Sequence, residues 1–539
     1  MRTLLLLAVS VLALAGCSKS SEPLSMDEQI ETLDKDLASV FADQEPLDHP
    51  LSLHEAMARG ILYNVDHRVT MMEEIIAKGE VNLALLDVLP SLDAKAQYIS
   101  RDSEQAISAR NKATGAQSLP PSVFEEKDHT TTSLTVGYDV LDAGLAIVQA
   151  NTESDKMRIA EEHRRKAVHN IISDVRSAFW RAASAQILTS RIEELITRGK
   201  AETVRLEALS AKGSGTAEDM IRAQQEVRLL EAMQQLTTLK AQLATAKIEL
   251  AALINLPPRA NYQLSVDESQ IFDGESVPDL KLDPESLELV SLMIRPEMRE
   301  EILMQRVASR EIRRTALSAM PGLNALFGYY SDNNDFLSQN DWTGYSLSLT
   351  SNLVNLFTLP VRIEQAENKA KLAEMRHRAL VVAVMSQVNL ARLRMSLAEE
   401  RFDIVRRLAS VSSRMRGMVS SSGLAQDPAQ QLEMEMQAAL NRARLHMAYA
   451  EYQNAYAVLL NAVGMDPLPP ETSVGNVAQL ADVIADRTDH IQPQIFDKLL
   501  SYLKEKGLHA EDSLKESPVP VQVSTSAAAP VAAEDKKAL

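Results

Sequence analysis

Four short stretches alternate apolar and polar residues with a period of two, the pattern of a strand with two unlike faces. In PSLDAKAQY (90–98), Leu92, Ala94, Ala96 and Tyr98 take one parity and Asp93, Lys95 and Gln97 the other. Strands are predicted over 91–99, 132–140, 322–330 and 344–353. In the second, Leu134, Val136, Tyr138 and Val140 oppose Ser133, Thr135, Gly137 and Asp139. In the fourth, Leu347, Leu349, Ser351 and Leu353 oppose Ser346, Ser348, Thr350 and Asn352. Between and after them the period changes. Val168, Ile172, Val175, Phe179 and Ala182 step 4-3-4-3, as do Val384, Val388, Ala391, Met395, Ala398, Phe402 and Val405. These are heptad seams. They predict long helices over 145–211 and 360–419, each about 100 Å long at 1.5 Å per residue. Return helices are expected over 217–254 and 428–463.

The order repeats. PGLNALFGY (321–329) follows PSLDAKAQY at an offset of 231 (321 − 90), and SLELVSLMIRPEMREE (286–301) matches HEAMARGILYNVDHRV (54–69). The chain thus divides into a leader (1–16), an acidic segment (17–50), a first repeat (51–258), a linker (259–283), a second repeat (284–470), an accessory helical segment (471–505) and a disordered tail (506–539). In the acidic segment Ile30, Leu33, Leu37 and Val40 mark a short amphipathic helix. Residues 52–88 are helical with a break near Asn64, and 101–130 read as a solvated loop.

Composition narrows the class. Aromatic residues are 4% of the chain, a low share that suits long helices and coiled coils better than an enzyme core. A net charge of −18 argues against a nucleic-acid partner. The N-terminus carries one charge, Arg2, then an apolar run from Leu4 to Ala15 that is too short to span a bilayer and fits a secretory signal. It ends Leu14-Ala15-Gly16-Cys17, which resembles the bacterial lipoprotein lipobox. That resemblance implies cleavage before Cys17, the only cysteine, and lipidation of its sulfur. Ser18 and Lys19 follow in place of an inner-membrane retention Asp, which favours the outer membrane of a Gram-negative cell.

Strands of nine or ten residues are long enough to cross a bilayer when tilted, and no mature segment reads as a spanning helix. Lipid-crossing strands must close into a barrel so that no backbone group is left unpaired in hydrocarbon. Four strands cannot close, so several copies must associate. In such a barrel Asp93, Lys95, Gln97, Thr135, Asp139, Ser346, Ser348 and Asn352 face a wet lumen.

The whole pattern resembles the TolC family of outer-membrane efflux channels across about residues 50–470. LSLHEAMARGILYN is similar to the family's opening helix, LPSLDAKAQY to its first strand and LTVGYDVLDAG to its second. GTAEDMIRAQ and GLAQDPAQQL resemble its Gly-x-x-x-Asp turns, and ALINLPP its Leu-Gly-Leu-Pro-Pro close. The resemblance implies a mainly α fold with membrane β: a homotrimer with a 12-stranded barrel above a helical tunnel. It implies a periplasmic adaptor and an inner-membrane pump as partners. It also makes Gly215, Thr216 and Asp219, with Gly423, Leu424 and Asp427, candidates for adaptor contact. These residues equally suit plain turns and caps. Leu141-Asp142-Ala143-Gly144 lacks the family's Phe.

No catalytic constellation is present. His163 and His169 lie six apart and cannot easily share a metal on one helix. The HExxH, GxxxxGK[ST] and GxSxG patterns are missing, and His54-Glu55 reads as surface decoration. No metal, cofactor or enzymatic activity is expected. The expected function is a passive trimeric exit duct for efflux or type I secretion; the alternative is a lipid-anchored coiled-coil spacer or adaptor without a pore.

Overall fold

A computed structural model describes residues 23–42, 44–117, 120–211, 217–273, 283–422, 427–468, 475–488 and 492–505. Cys17, Gly215, Thr216, Gly423, Leu424 and the tail after 505 lie outside the described residues.

The chain enters through helix α1 (Met26–Val40), closed at its start by a capping box between Ser25 and Glu28. Helices α2 (Leu53–Tyr63) and α3 (Val65–Leu86) meet at Asn64, whose extended backbone ends one helix while its side chain caps the next through the His67 amide. Helices α8 (Pro284–Ile294) and α9 (Pro296–Leu317) break at Arg295, 231 residues later (295 − 64), with a similar backbone bend but no side-chain cap. There Pro296 sits at the first helical position, where its missing N–H is harmless.

Strand β1 (Ser91–Ser100) follows α3. The stretch expected to be an irregular loop contains a small hairpin of β2 (Gln105–Ile107) and β3 (Ser122–Glu125). Sequence gave no signal for it because it is held from afar: the Asn334 amide accepts from the Glu126 N–H and donates to the Phe124 carbonyl. Strand β4 (Asp128–Asp139) leads into helix α4 (Val140–Ser210), which begins five residues earlier than expected because Asp139 caps it through the Leu141 and Asp142 amides. The return path is split at Thr245 into α5 (Ala217–Ala244) and α6 (Ala246–Leu253).

In the linker a short helix, α7 (Glu268–Asp273), docks through Ile271, and Leu264 forms a parallel bridge with Leu51. The second repeat gives β5 (Gly322–Asp332), β6 (Asp341–Thr350), helix α10 (Leu353–Ser422) and helix α11 (Pro428–Val463). Helix α10 starts before the expected position 360 and carries Pro360 inside it. Helices α12 (Val477–Asp486) and α13 (Gln492–Glu505) pack on α2 and α8.

The core lies where α4 and α11 run together. Trp180 meets Tyr449 edge-on with ring centroids 4.8 Å apart, Phe402 tilts against the same tyrosine, and the Arg176 guanidinium lies over the Tyr456 ring. Glu55, read from sequence as surface decoration, is buried and paired to Arg59 and His49. Arg59 in turn donates to the Glu45 carbonyl and fastens the segment that enters α2.

Candidate functional site

The four long strands form one antiparallel sheet in the order β1-β4-β5-β6. The two repeats are joined through β4 and β5, so this is one sheet and not two separate hairpins. Opposite residues in an antiparallel pair share a face. Asp93 faces Thr135, Lys95 faces Ser133, Gln97 faces Thr131, Asp139 faces Asn324, and Asn324 faces Ser348. Those residues and Ser346 therefore line a single polar face. The other face carries Leu92, Val136, Phe327 and Tyr345 in one row, and Tyr138, Ala325 and Leu347 in another.

That apolar face is uncovered: Leu92 is 69% exposed, Tyr345 91% and Leu349 70%. A soluble sandwich would bury these side chains. Among the described residues, strands β1 and β6 end the sheet with their outer edges unpaired.

Two expectations change here. Asn352 is not in a strand, because β6 stops at Thr350; its side chain instead accepts from the Val354 N–H at the start of α10. The polar face also carries aromatics that alternation did not flag. Tyr330 pairs with Trp342 across β5 and β6, stacked at 5.7 Å and 17°. The Tyr330 ring lies where side chains at Gly328 and Gly344 would stand. A sequence signal did exist: two glycines opposite one another and an aromatic two residues away fit cross-strand covering of a bare backbone.

Below the sheet the helices keep apolar stripes that no described residue covers. On α3, Val65, Val69, Met72, Ile76, Leu83 and Leu86 are exposed on a 4-3 repeat that passes through Gly79. On α10, Ile404, Leu408, Val411, Met415 and Met418 are exposed, although Val384, Val388, Ala398 and Phe402 on its other side are buried. On α5, Met220, Val227 and Leu230 are exposed beside a shallow groove that includes Ala223 and Arg228. By length and composition α10 is apolar enough to cross a membrane. This differs from the expectation that no segment would read so.

At the far end of the helices the described tip residues are engaged in capping and ion pairs. Asp219 accepts from Arg222 at 2.7 Å. Asp427 caps α11 through the Ala429 N–H at 3.1 Å, and its other oxygen accepts from Gln225 of the first repeat at 2.6 Å. Arg205 of α4 is 3.8 Å away. The tips of the two helical hairpins are therefore linked within one chain.

Midway, Asp466 joins the repeats. It accepts from Arg165 at 2.5 Å and from His169 at 2.7 Å, and Arg165 also donates to the Ile294 carbonyl. Burial pushes the Asp466 carboxyl up, but the bonds from His169 and Arg165 outweigh it and hold it below its ordinary range. His446 is fully buried and contacts Glu268 at 3.1 Å. Burial lowers its pKa, and the Glu268 carboxylate offsets this only in part. His163 pairs with Glu300 and not with His169. Among the described residues no group of His, Cys, Asp and Glu could hold a metal ion.

No family model matches the chain, and no curated protein matches it. Solved structures do. The open-state MtrE outer membrane channel of Neisseria gonorrhoeae aligns with a TM-score of 0.60 at 15% identity, over 76% of this chain and 88% of MtrE. CusC, solved in a study of its folding and transmembrane channel formation, aligns at 0.57 and 14% identity, over 79% and 96%. The CmeC outer membrane channel of Campylobacter jejuni aligns at 0.56 and 12% identity, over 84% and 95%. The chain has the fold of the TolC-family outer-membrane channels.

Proposed function

We propose that this chain is the outer-membrane exit duct of a tripartite efflux or type I secretion system. It works as a homotrimer, lipidated at Cys17 and extending into the periplasm of a Gram-negative cell. The observation that carries this reading is the sheet: one face apolar and exposed, the other polar, both edges unpaired. Such a sheet is stable in lipid only when its edges are closed. Three copies supply twelve strands, and Asp93, Lys95, Gln97, Thr135, Asp139, Ser346 and Ser348 then line a wet lumen. Asn352 sits at its periplasmic rim.

The bare stripes on α3, α5 and α10 support the same assembly. Each needs a helix from elsewhere, and side-by-side copies provide one. The solved structures of the same fold are outer-membrane channels, and that likeness supports the same role for this chain. Solutes or polypeptides pass passively through the gated lumen, and the energy comes from an inner-membrane pump reached through a periplasmic adaptor. The adaptor docks at the tips around Gly215, Thr216, Asp219, Gly423, Leu424 and Asp427.

The test is assembly in the envelope. Val136→Arg and Leu349→Arg place a charge on the apolar face, and Thr135→Lys places one on the polar face. The first two should abolish accumulation of the oligomer in the outer membrane, and the third should leave it intact. Equal behaviour of all three would favour the lipid-anchored spacer.

A further inference from the structure

Helix α1 stands apart from every other element: no residue in it is buried. Its apolar residues Met26, Ile30, Leu33, Leu37 and Val40 follow the strict 4-3-4-3 spacing of a helix-packing seam. The rest is acidic, with Asp27, Glu28, Glu31, Asp34 and Asp36 against a single Lys35.

Its base is fixed. The Asn255 side chain donates to the Val40 carbonyl at 2.9 Å, and Gln44 donates to the Asn255 carbonyl at 2.6 Å. The base of α3 is fixed at the same place, since Asn64 donates to the Leu253 carbonyl at 3.2 Å. Helix α1 therefore ends where α3 begins, and the two can lie antiparallel without moving either base.

Helix α3 offers a matching face. His67, Thr70, Glu74, Ala77, Val81 and Ala84 point toward α4, where Glu74 pairs with Arg164. The acidic residues Asp66, Glu73 and Glu80 share another stripe at heptad spacing. A further exposed stripe runs Arg68, Met71, Ile75, Lys78, Asn82, Leu85. It is apolar with two cations and no acid, the complement of α1. It is also separate from the Val65–Leu86 stripe that faces away from α4.

We propose that α1 is a strap that closes onto this outer stripe of α3 in its own chain. A constant antiparallel register sets Leu37 on Met71, Leu33 on Ile75 and Ile30 against Lys78, with Glu31 and Asp34 beside the Lys78 ammonium. Closure covers both bare stripes at once. It also brings Met26 level with Asn82, on the approach to β1. The strap does not depend on the channel reading; a pore-less spacer with these two helices would close in the same way.

Disulfide trapping in the full-length protein tests it. Leu33→Cys with Ile75→Cys should give an internal crosslink under mild oxidation, and Leu33→Cys with Glu73→Cys should not. Lys78→Glu added to the first pair should abolish the crosslink, and Glu31→Lys added to that should restore it. Absence of the Leu33/Ile75 crosslink would overturn the proposal. So would equal crosslinking in the Glu73 control, or a product with the mass of two chains, which would put α1 on a neighbouring copy. A readout without substitutions guards against variants that fail to fold. An isolated 15-residue helix is marginal in water, so α1 amides in the assembled wild-type protein should exchange at least about tenfold slower than free chain. Unprotected α1 amides would also overturn the strap.

Discussion

At the scale of single residues, both return paths end on a left-handed backbone position. Asn255 has φ 56° and Gly464 has φ 82°. The resembled motif has Gly where Asn255 stands, and Asn is the side chain that best tolerates this conformation. Here it also uses its amide to hold Val40. Gly464 has no such latitude, because a Cβ there would stand 2.9 Å from the Arg295 Cα. Gly464→Ala should cost about 1–2 kcal/mol for the backbone alone, and more if Arg295 shifts from Gln387. A fall in the urea midpoint checks it. His446 sets a pH dependence. Its folded pKa lies below the ordinary 6.5, so the unfolded chain binds the extra proton. The stability from neutral His446 is complete above about pH 6.5 and is lost as the pH falls through the folded value. The urea midpoint should therefore drop between pH 7.5 and 5.5, and His446→Gln should flatten that drop. The Asp466 carboxyl acts only in stronger acid: its contribution holds above 3.8, the ordinary value, and disappears as the pH falls through its lowered folded value.

At the scale of elements, what alternates or repeats was legible. The parity of Leu92, Ala94 and Ala96 marked a two-faced strand, and the heptad steps from Val168 and Val384 marked helices now seen to bury those residues. The Asn64 break was visible because an Asn between two apolar helical runs is a natural cap. Long-range contacts were not legible. The β2–β3 hairpin depends on Asn334, over two hundred residues away in sequence, and the burial of Glu55 depends on Arg59 and the segment at Glu45 that it fastens. The polar parity of β5 and β6 hid Tyr330 and Trp342 because alternation counts residues and not the bare backbone beside them. For the sheet, a cation on the apolar face at Val136 should cost about 2–4 kcal/mol in lipid, falling toward zero at the edges of the bilayer. Outer-membrane yield of Val136→Arg should fall accordingly, and Leu92→Arg, in the same row of the sheet, should match it. Tyr330→Ala should lower the melting temperature of the sheet modestly, since cross-strand aromatic pairs contribute roughly 0.2–1 kcal/mol.

At the scale of the whole molecule, one chain is visibly unfinished. Among the described residues its sheet has two open edges, its apolar strand face meets no protein, and three of its helices carry a second bare seam. Each deficit is the kind that identical neighbours remove, and the proposed trimer would remove them together as a closed barrel over a closed helical tube. The alternative, a spacer without a pore, would leave the sheet face in water. The measurement that separates the two most directly is conductance across a planar lipid bilayer with the purified full-length protein. Stepwise currents of uniform size are predicted, carried by a species with the mass of three chains. A bilayer that stays silent while the protein runs as a monomer would contradict the account.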